Sequence, residues 1–508
     1  MKTKTNLLIL TILILGLMHK FFITSGGNFL FNMDNARDLV DVREMVVLQK
    51  VRLIGPTSAI EGLFNGPAWY YLLVVPFVLT SGDPYGAIVF QFVTWAIGGF
   101  FLLKIVQRFS KWLIIPIGLI WISSEFITLT TIYSFNPNPV THLTPLFIYL
   151  LDKYLEKGKL IFGVSALFLG GLFFNFEMNF GIFIPAVVVV SMIFSKRTNL
   201  IRTKSFFLSI GAFILTLLPQ IFFDLRHDFL MINSVINYLR QGTANTTNIL
   251  QRVTIIPKTF YDVYLPIMLN QKLLTNSILI LGLLFSLKIL KERLDRIVII
   301  SLCYIFIPLI SYILLPVNVN SWHVGGAMVA GLILTAYLLK RLAEVGNILR
   351  FISIIIVIII LYFSLIKISD SITDSKKINL DPSRFYNEIK AIDYVYKLAN
   401  GENFKVYTYL PSVIDYSNQY LFWWYGKKTY GYIPYDYAYS PNKPQYISNK
   451  QKFEGSKENY RGLVFLIKEP DRIQLRDAWE DDYDEMELIS KEIVGPYEIE
   501  MKREVRKP

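Results

Sequence analysis

Asp34 and Asp38 stand four residues apart with Arg37 beside the second, in the stretch Asp34-Asn35-Ala36-Arg37-Asp38. That spacing puts both carboxylates on one face of a helix. Acids at a water–lipid boundary are costly to keep dry and ionised, and the chemistry that suits them is proton or cation handling. Glu177 is a third acid of this kind. It sits in Phe174-Asn175-Phe176-Glu177-Met178-Asn179-Phe180, where the aromatic neighbours would desolvate its carboxylate. Further polar groups fall in short stretches between apolar runs: Glu61 in Glu61-Gly62-Leu63-Phe64-Asn65-Gly66-Pro67, Asn136 and Asn138 around Pro137, Asp224-Leu225-Arg226-His227-Asp228, and Trp322-His323.

Each of these residues has a plainer reading beside the chemical one. Asp34 also suits the N-cap of the helix that follows, and Asp38 could pair with Arg37 or Asp41 on a wet face. Arg226 and His227 follow an apolar run, where a basic side chain ordinarily snorkels to the interface. Trp322 reads as a belt aromatic with His323 incidental to it. Glu125 and His142, inside apolar runs, either line a polar cavity or pair with each other. Asn245-Thr246-Thr247 matches a glycosylation acceptor triplet, which recurs by chance, and receives no role.

The elements that must position these groups are membrane helices. The chain of 508 residues is 53% hydrophobic, with a mean hydropathy of +0.43, which excludes a soluble enzyme. Its apolar runs repeatedly reach the roughly 20 residues needed to cross a bilayer. About eleven helices are expected, over 6–24, 85–106, 112–133, 140–152, 160–175, 179–195, 204–222, 274–290, 297–315, 324–340 and 350–368. The first resembles a signal peptide but lacks a good cleavage pair, so it reads as a retained span.

Charge supports this arrangement. With the N-terminus inside, the inner loops carry Lys104, Arg108 and Lys111, then Lys153, Lys157 and Lys159, then Lys196, Arg197, Arg202 and Lys204, then Lys288, Lys291, Arg293 and Arg296, and lastly Lys340, Arg341 and Arg350. The turns at 134–139, 175–178 and 316–323 hold neither Lys nor Arg, as the positive-inside rule requires. The net charge of +12 is therefore spent on topology and does not indicate nucleic acid. Two long outer loops remain, 25–84 and 223–273. The first holds an acidic helix over 34–50 and an aromatic stretch from Trp69, Tyr70 and Tyr71 to Leu79, read as a helix lying along the interface.

Composition changes at Asp370. Residues 370–508 are polar and Tyr-rich, with 406–409 and 462–467 as strand candidates. The expected fold is an all-α polytopic membrane protein, residues 1–369, followed by a small extracytoplasmic α/β domain, 370–508. Tyr420 to Gly426 and Tyr430 to Tyr432 offer aromatics for sugar stacking, or an ordinary packed core. Cys303 is the single cysteine, so no disulfide framework or cysteine-based metal site exists.

The order of a first span, D-x-A-R-D opening an amphipathic helix, G-P-x-x-Y-Y-L in an interfacial helix ending Gly82-Asp83-Pro84, and then paired spans resembles the C-type (GT-C) membrane glycosyltransferases. The likeness is nearest to the protein mannosyltransferase and aminoarabinose-transferase branch. It covers roughly residues 1–340 by topology and concentrates in 30–85. It implies a polyprenyl-phosphate sugar donor, an extracytoplasmic active site and inversion at the anomeric carbon. The family's acid in the first outer loop carries over to Asp34, while Asn35 stands where relatives often have a second acid.

The function expected is transfer of a sugar from a polyprenyl-phosphate donor to a glycan, lipid or protein acceptor at the outer face of the cell membrane. Asp34 is expected to act as general base, with Asp38 and Glu177 as further catalytic groups. Arg37, Glu61, Tyr70, Tyr71, Asn136, Asn138, Asp224, Arg226, His227 and His323 are expected to bind substrate, Arg226 and His227 at the leaving phosphate. No metal site is signalled and no cofactor is implied outright, although scattered carboxylates leave a divalent cation open. A polysaccharide polymerase or O-antigen ligase is the rival enzyme. A flippase or transporter ranks lower, because ionisable groups collect at the outer edge and no internal repeat is visible.

Overall fold

A computed structural model describes residues 2–240, 247–289, 294–411, 414–437 and 452–505. Lys291 and Arg293 of one basic loop, and Asn245 and Thr246 of the acceptor triplet, lie outside these. The chain packs into two compact units. One comprises 1–23, 51–72 and 89–374, and the other 24–50, 73–88 and 375–508. The second unit thus takes in segments of the 25–84 stretch together with the carboxy-terminal residues.

Each of the eleven expected segments is helical over most of its described residues. Among the described residues six helices are each long and apolar enough to cross a membrane: Lys4–Gly27, Pro84–Phe109, Lys204–Arg226, Arg296–Leu314, Ser321–Val345 and Asn347–Asp374. The number rises to 8 if two bent pairs each count as one span. The chain is a multi-pass membrane protein. The sequence reading missed a helix, Ile249–Ile267, inside what was expected to be a loop. Its apolar pattern is interrupted by Arg252, Lys258 and two prolines, which disguised it.

The bends have identifiable causes. The first pair breaks by 57° at Ser124, whose ψ of 128° is not helical. Ser124 Oγ caps the next turn at Ile127 N–H and donates to Pro266 O at 3.2 Å. The carbonyl freed at Ile122 accepts from Lys20 Nζ at 2.8 Å, and the same ammonium reaches Thr128. The second pair turns by 119° after Pro266, and Asn270 in that turn donates to Glu125. Glu125 also faces Lys367 at 3.6 Å, whereas His142 bonds Thr94 and Thr130, so Glu125 and His142 do not pair with each other. These polar groups at the bends thus find protein partners, as apolar surroundings demand.

Close helix approach is provided by glycine. A Cβ at Gly98 would meet the His142 carbonyl oxygen at 1.8 Å, and Trp95 and Trp121 each donate an indole N–H to the other's backbone carbonyl at 3.2 Å. Basic loops gather at one end of this unit. Arg108 and Arg296 both hold the buried Asp152, at 2.7 and 3.2 Å, Arg108 also holds Asp295, and Arg197 donates to Glu156 O. The turns without Lys or Arg gather at the other end, through Asn136 to Phe176 O, Asn179 to His323, and the Phe135–Trp322 ring contact.

The second unit is built on a four-stranded sheet. Strands β1 (Asn403–Tyr409), β2 (Tyr460–Lys468), β3 (Glu487–Val494) and β4 (Tyr497–Arg503) lie in the order β1-β2-β4-β3. The β1–β2 pair is parallel and the others antiparallel. Leu463 to Ile467 are all buried, because both faces of β2 are covered. Tyr407, Val464, Leu466 and Tyr483 form the core of one face, and Phe404 and Phe465 meet Tyr396 and Phe422 on the other. Residues 28–31 join this unit through backbone hydrogen bonds from Phe31 to Ser383 and from Phe385 to Phe29.

Two predictions follow from these contacts. Gly98→Ala is expected to lower the melting temperature of the purified full-length protein by several degrees, as an overpacked site costing about 1–3 kcal/mol. Gly211→Ala, where an added methyl meets nothing within 4 Å, is expected to leave it unchanged or slightly raised. Burial pushes Asp415 up to about 6 and, with Asp415 nearby, Glu469 up to about 7. The folded state thus retains protons that the unfolded chain releases near pH 4. Stability is expected to be highest at acidic pH, to fall as pH climbs to about 7, and to level off above it. Asp415→Asn should flatten that slope in thermal denaturation scans.

Candidate functional site

In the second unit the acidic motif forms the start of the helix Met33–Val47. Its N-cap is Asn32, whose side chain accepts from Asp34 N–H at 3.1 Å. Asn35 completes a capping box by accepting from Asn32 N–H at 2.7 Å, and its amide donates to Leu30 O at 2.8 Å. Asp34 is therefore not the cap, and its side chain is left 37% exposed in the first turn, where the helix dipole favours a negative charge. Asp38 lies one turn on and is fully buried.

Arg37 joins the two acids. Its Nε and Nη2 donate to one Asp38 oxygen at 3.0 and 2.9 Å, and its Nη1 donates to Asp34 Oδ1 at 3.2 Å. The buried acid fixes the guanidinium, and the guanidinium in turn orients the exposed acid. Tyr416, which the sequence reading did not single out, faces the same helix. Its phenol is pushed up by burial, then by Asp41 and, further down, Glu44 and Asp38, with Arg37 opposing, so it stays protonated there. It precedes the short helix Ser417–Leu421, which packs on the acidic helix. Only its aromatic setting marked it in sequence.

In the first unit the polar turns converge on Glu177. This residue caps the turn Met178–Gly181, accepting from Asn179 N–H at 3.1 Å. Burial pushes its carboxyl up to about 7, with the Asn179 hydrogen bonds pulling the other way. Asn65 Oδ1 accepts from Met178 N–H, and Tyr312 donates to Asn179 O at 2.8 Å. His323 Nδ1 accepts from Asn320 N–H at 3.2 Å, and its Nε2 lies 3.3 Å from the Asn179 side-chain nitrogen. Asn136 and Asn138 donate to Phe176 O at 2.6 Å and Tyr133 O at 2.7 Å, so both hold turns in place.

The remaining expected residues are spread more widely. Tyr70 is buried, while Tyr71 donates to Arg52 O at 2.8 Å. Glu61 is exposed at the tip of a loop pinned by Gly55–Asn65 and Asn65–Pro56 backbone hydrogen bonds. Asp224 is buried and accepts from Met231 N–H at 2.6 Å, turning the chain after the helix Lys204–Arg226. His227 stacks on Phe223 and, with Arg226, is exposed. A basic residue not singled out from sequence, Arg252, is instead 8% exposed, and its Nε and Nη1 have no hydrogen-bond partner among the described residues. Unpaired guanidinium N–H groups away from water cost free energy until an anion meets them. Among the described residues no group of three or more His, Cys, Asp or Glu is placed to hold a metal ion.

No protein-family model matches the chain, and no curated protein matches it in sequence. Solved structures that match it in fold include two forms of one protein. A crystal structure of ArnT from Cupriavidus metallidurans bound to undecaprenyl phosphate superimposes with a TM-score of 0.61 at 10% identity, over 97% of each chain. The apo form of the same protein gives 0.62 at 10% identity, again over 97% of both chains. The expected polytopic membrane architecture with a carboxy-terminal α/β region is therefore the one observed, and the chain has the fold of ArnT, as its resemblance to the aminoarabinose-transferase branch of the GT-C proteins implied.

Proposed function

We propose that this chain is an integral membrane glycosyltransferase that moves a sugar from a polyprenyl-phosphate donor to an acceptor on the extracytoplasmic side, inverting the anomeric carbon in a single displacement. The observation that carries this reading is the likeness in fold, along nearly the whole chain, to a protein whose structure was solved with undecaprenyl phosphate bound. The Asp34–Arg37–Asp38 arrangement supplies a chemistry to go with it.

Asp34 takes the proton of the acceptor hydroxyl or amine as that atom forms its bond to the anomeric carbon. The bond from that carbon to the phosphate oxygen breaks, and the polyprenyl phosphate leaves with the electron pair. Arg37, anchored by Asp38, holds the Asp34 carboxylate in one orientation. Arg252 is the best-suited partner for the leaving phosphate, because its buried guanidinium has donors to spare; Arg226 and His227 add positive charge nearer to water. Glu177, in its ionised form, accepts from sugar or acceptor hydroxyls, with Asn179 and His323 fixing its turn. Glu61, Tyr70, Tyr71 and Asp224 bound the loops through which acceptor enters. The N-terminus lies in the cytoplasm and the sheet unit outside, the orientation that keeps the basic loops inside.

The test is transfer of label from radiolabelled polyprenyl-phosphate sugars in purified membranes. Asp34→Asn is expected to reduce transfer by about 10²-fold or more, the range typical of a lost general base. Full activity in that variant would remove Asp34 from the chemistry. With wild-type protein, transfer is expected to rise with pH through a midpoint near 7, as Glu177 ionises. Glu177→Gln should retain a reduced rate and lose that inflection. An unchanged pH profile would assign the titration to another group.

A further inference from the structure

Away from Glu177, at the end of the first unit where the basic loops gather, an open cavity of about 360 Å³ lies between the start of the 111–113 turn and the junction of the helices Ser321–Val345 and Asn347–Asp374. Ser110, Trp112, Lys340, Glu344, Arg350 and Ile354 line it. Lys340 Nζ stands 3.7 Å from Glu344 Oε1, beyond hydrogen-bond reach. Arg350 uses Nε on Ala343 O at 3.0 Å, and its two terminal nitrogens make no hydrogen bond to the described residues. Lys340 and Arg350 therefore present a two-cation rim with one acid between them, and Ser110 adds a hydroxyl.

The floor of the cavity is of opposite character. Ile354 continues into an exposed apolar stripe along its own helix, with Phe351, Ile358, Tyr362 and Leu365 all about half exposed or more. These positions recur at three- and four-residue spacing, so they form one face. Trp112, 41% exposed, stands at the rim, where an indole favours the headgroup level of a bilayer. A small anion would need only the rim. The apolar stripe leading away from the cations is matched by a ligand that carries a phosphodiester at one end and acyl chains at the other.

We propose that this cavity binds the headgroup of an anionic phospholipid, with Lys340 and Arg350 on the phosphodiester and an acyl chain along Ile354 and Ile358. The site is separate from the proposed chemistry and does not depend on it. Its test is native mass spectrometry of the purified full-length protein, delipidated and then titrated with phosphatidylglycerol or phosphatidylcholine in mixed micelles. The expected result is at least one phosphatidylglycerol retained at about tenfold lower lipid concentration than phosphatidylcholine, with that preference lost in Lys340→Gln/Arg350→Gln. Lys159→Gln, an exposed cation in another basic loop, is expected to keep it. Glycerol phosphate added in excess is expected not to compete. Equal retention of both lipids by the wild type, a preference unchanged in the double variant, or displacement by free glycerol phosphate would each overturn the proposal. Wild-type and double-variant proteins are compared at equal melting temperature in lipid-free detergent. Should the double variant not fold, Lys340→Gln and Arg350→Gln are tested singly, each expected to lose part of the preference.

Discussion

Every backbone group that a break in an apolar helix sets free must find a partner inside the protein, because hydrocarbon offers none. Most of the polar residues of the first unit answer to this constraint. Lys20 serves the carbonyl of Ile122 at the Ser124 bend, and Ser124 itself ties that bend to Pro266 in the next. The asparagines at the turns behave alike. Asn136 and Asn138 meet the carbonyls of Phe176 and Tyr133, and Asn175 meets those of Gly171 and Thr216. Broken helices and tight turns are possible here because these side chains satisfy the carbonyls they expose.

Once those groups are committed to the backbone, few polar side chains remain for chemistry. Glu177 remains, its carboxyl held in a dry turn where it accepts from Asn179 N–H. Arg252 remains, with two guanidinium nitrogens unpaired among the described residues. One is an acid whose charge is costly to keep and the other a cation without its anion. Opposite demands of this kind suit a site that fixes a sugar by its hydroxyls and a phosphate by its charge, as the proposed reaction needs.

The sequence made the helices legible because hydrocarbon imposes length and apolarity at once, and the loops legible because charge must sort to one side. Strands β1 and β2 showed through as apolar runs of Val, Tyr and Phe. What stayed hidden has physical reasons. Ile249–Ile267 carries Arg252, Lys258, Pro257 and Pro266, and reads as polar loop until its partners in neighbouring helices are known. The pairing of 28–31 with 383–385 depends on main-chain atoms far apart in sequence, which no side-chain pattern announces. Asn136 and Asn138 looked like binding residues because asparagine is equally suited to a ligand and to a turn. Only the carbonyls they reach distinguish the two. Tyr416 had only its aromatic setting to mark it, and Arg252 gave no signal beyond its type.

Asn35 shows how one local requirement narrows the chemistry. The relatives that the motif resembles often carry an acid at this position, which would set two adjacent carboxylates at the helix start. Here the position is N3 of the helix, and its amide both accepts from Asn32 N–H and donates to Leu30 O. An acid could accept the first hydrogen bond but could not donate the second. Asn35 therefore closes the cap and fixes the chain entering the helix, and the role of anion falls to Asp34 alone. The second carboxylate has moved one turn on, to the buried Asp38, where it cannot touch substrate and instead anchors Arg37. The motif thus holds one exposed acid, one cation and one buried acid, a set that suits the single base of the proposed reaction.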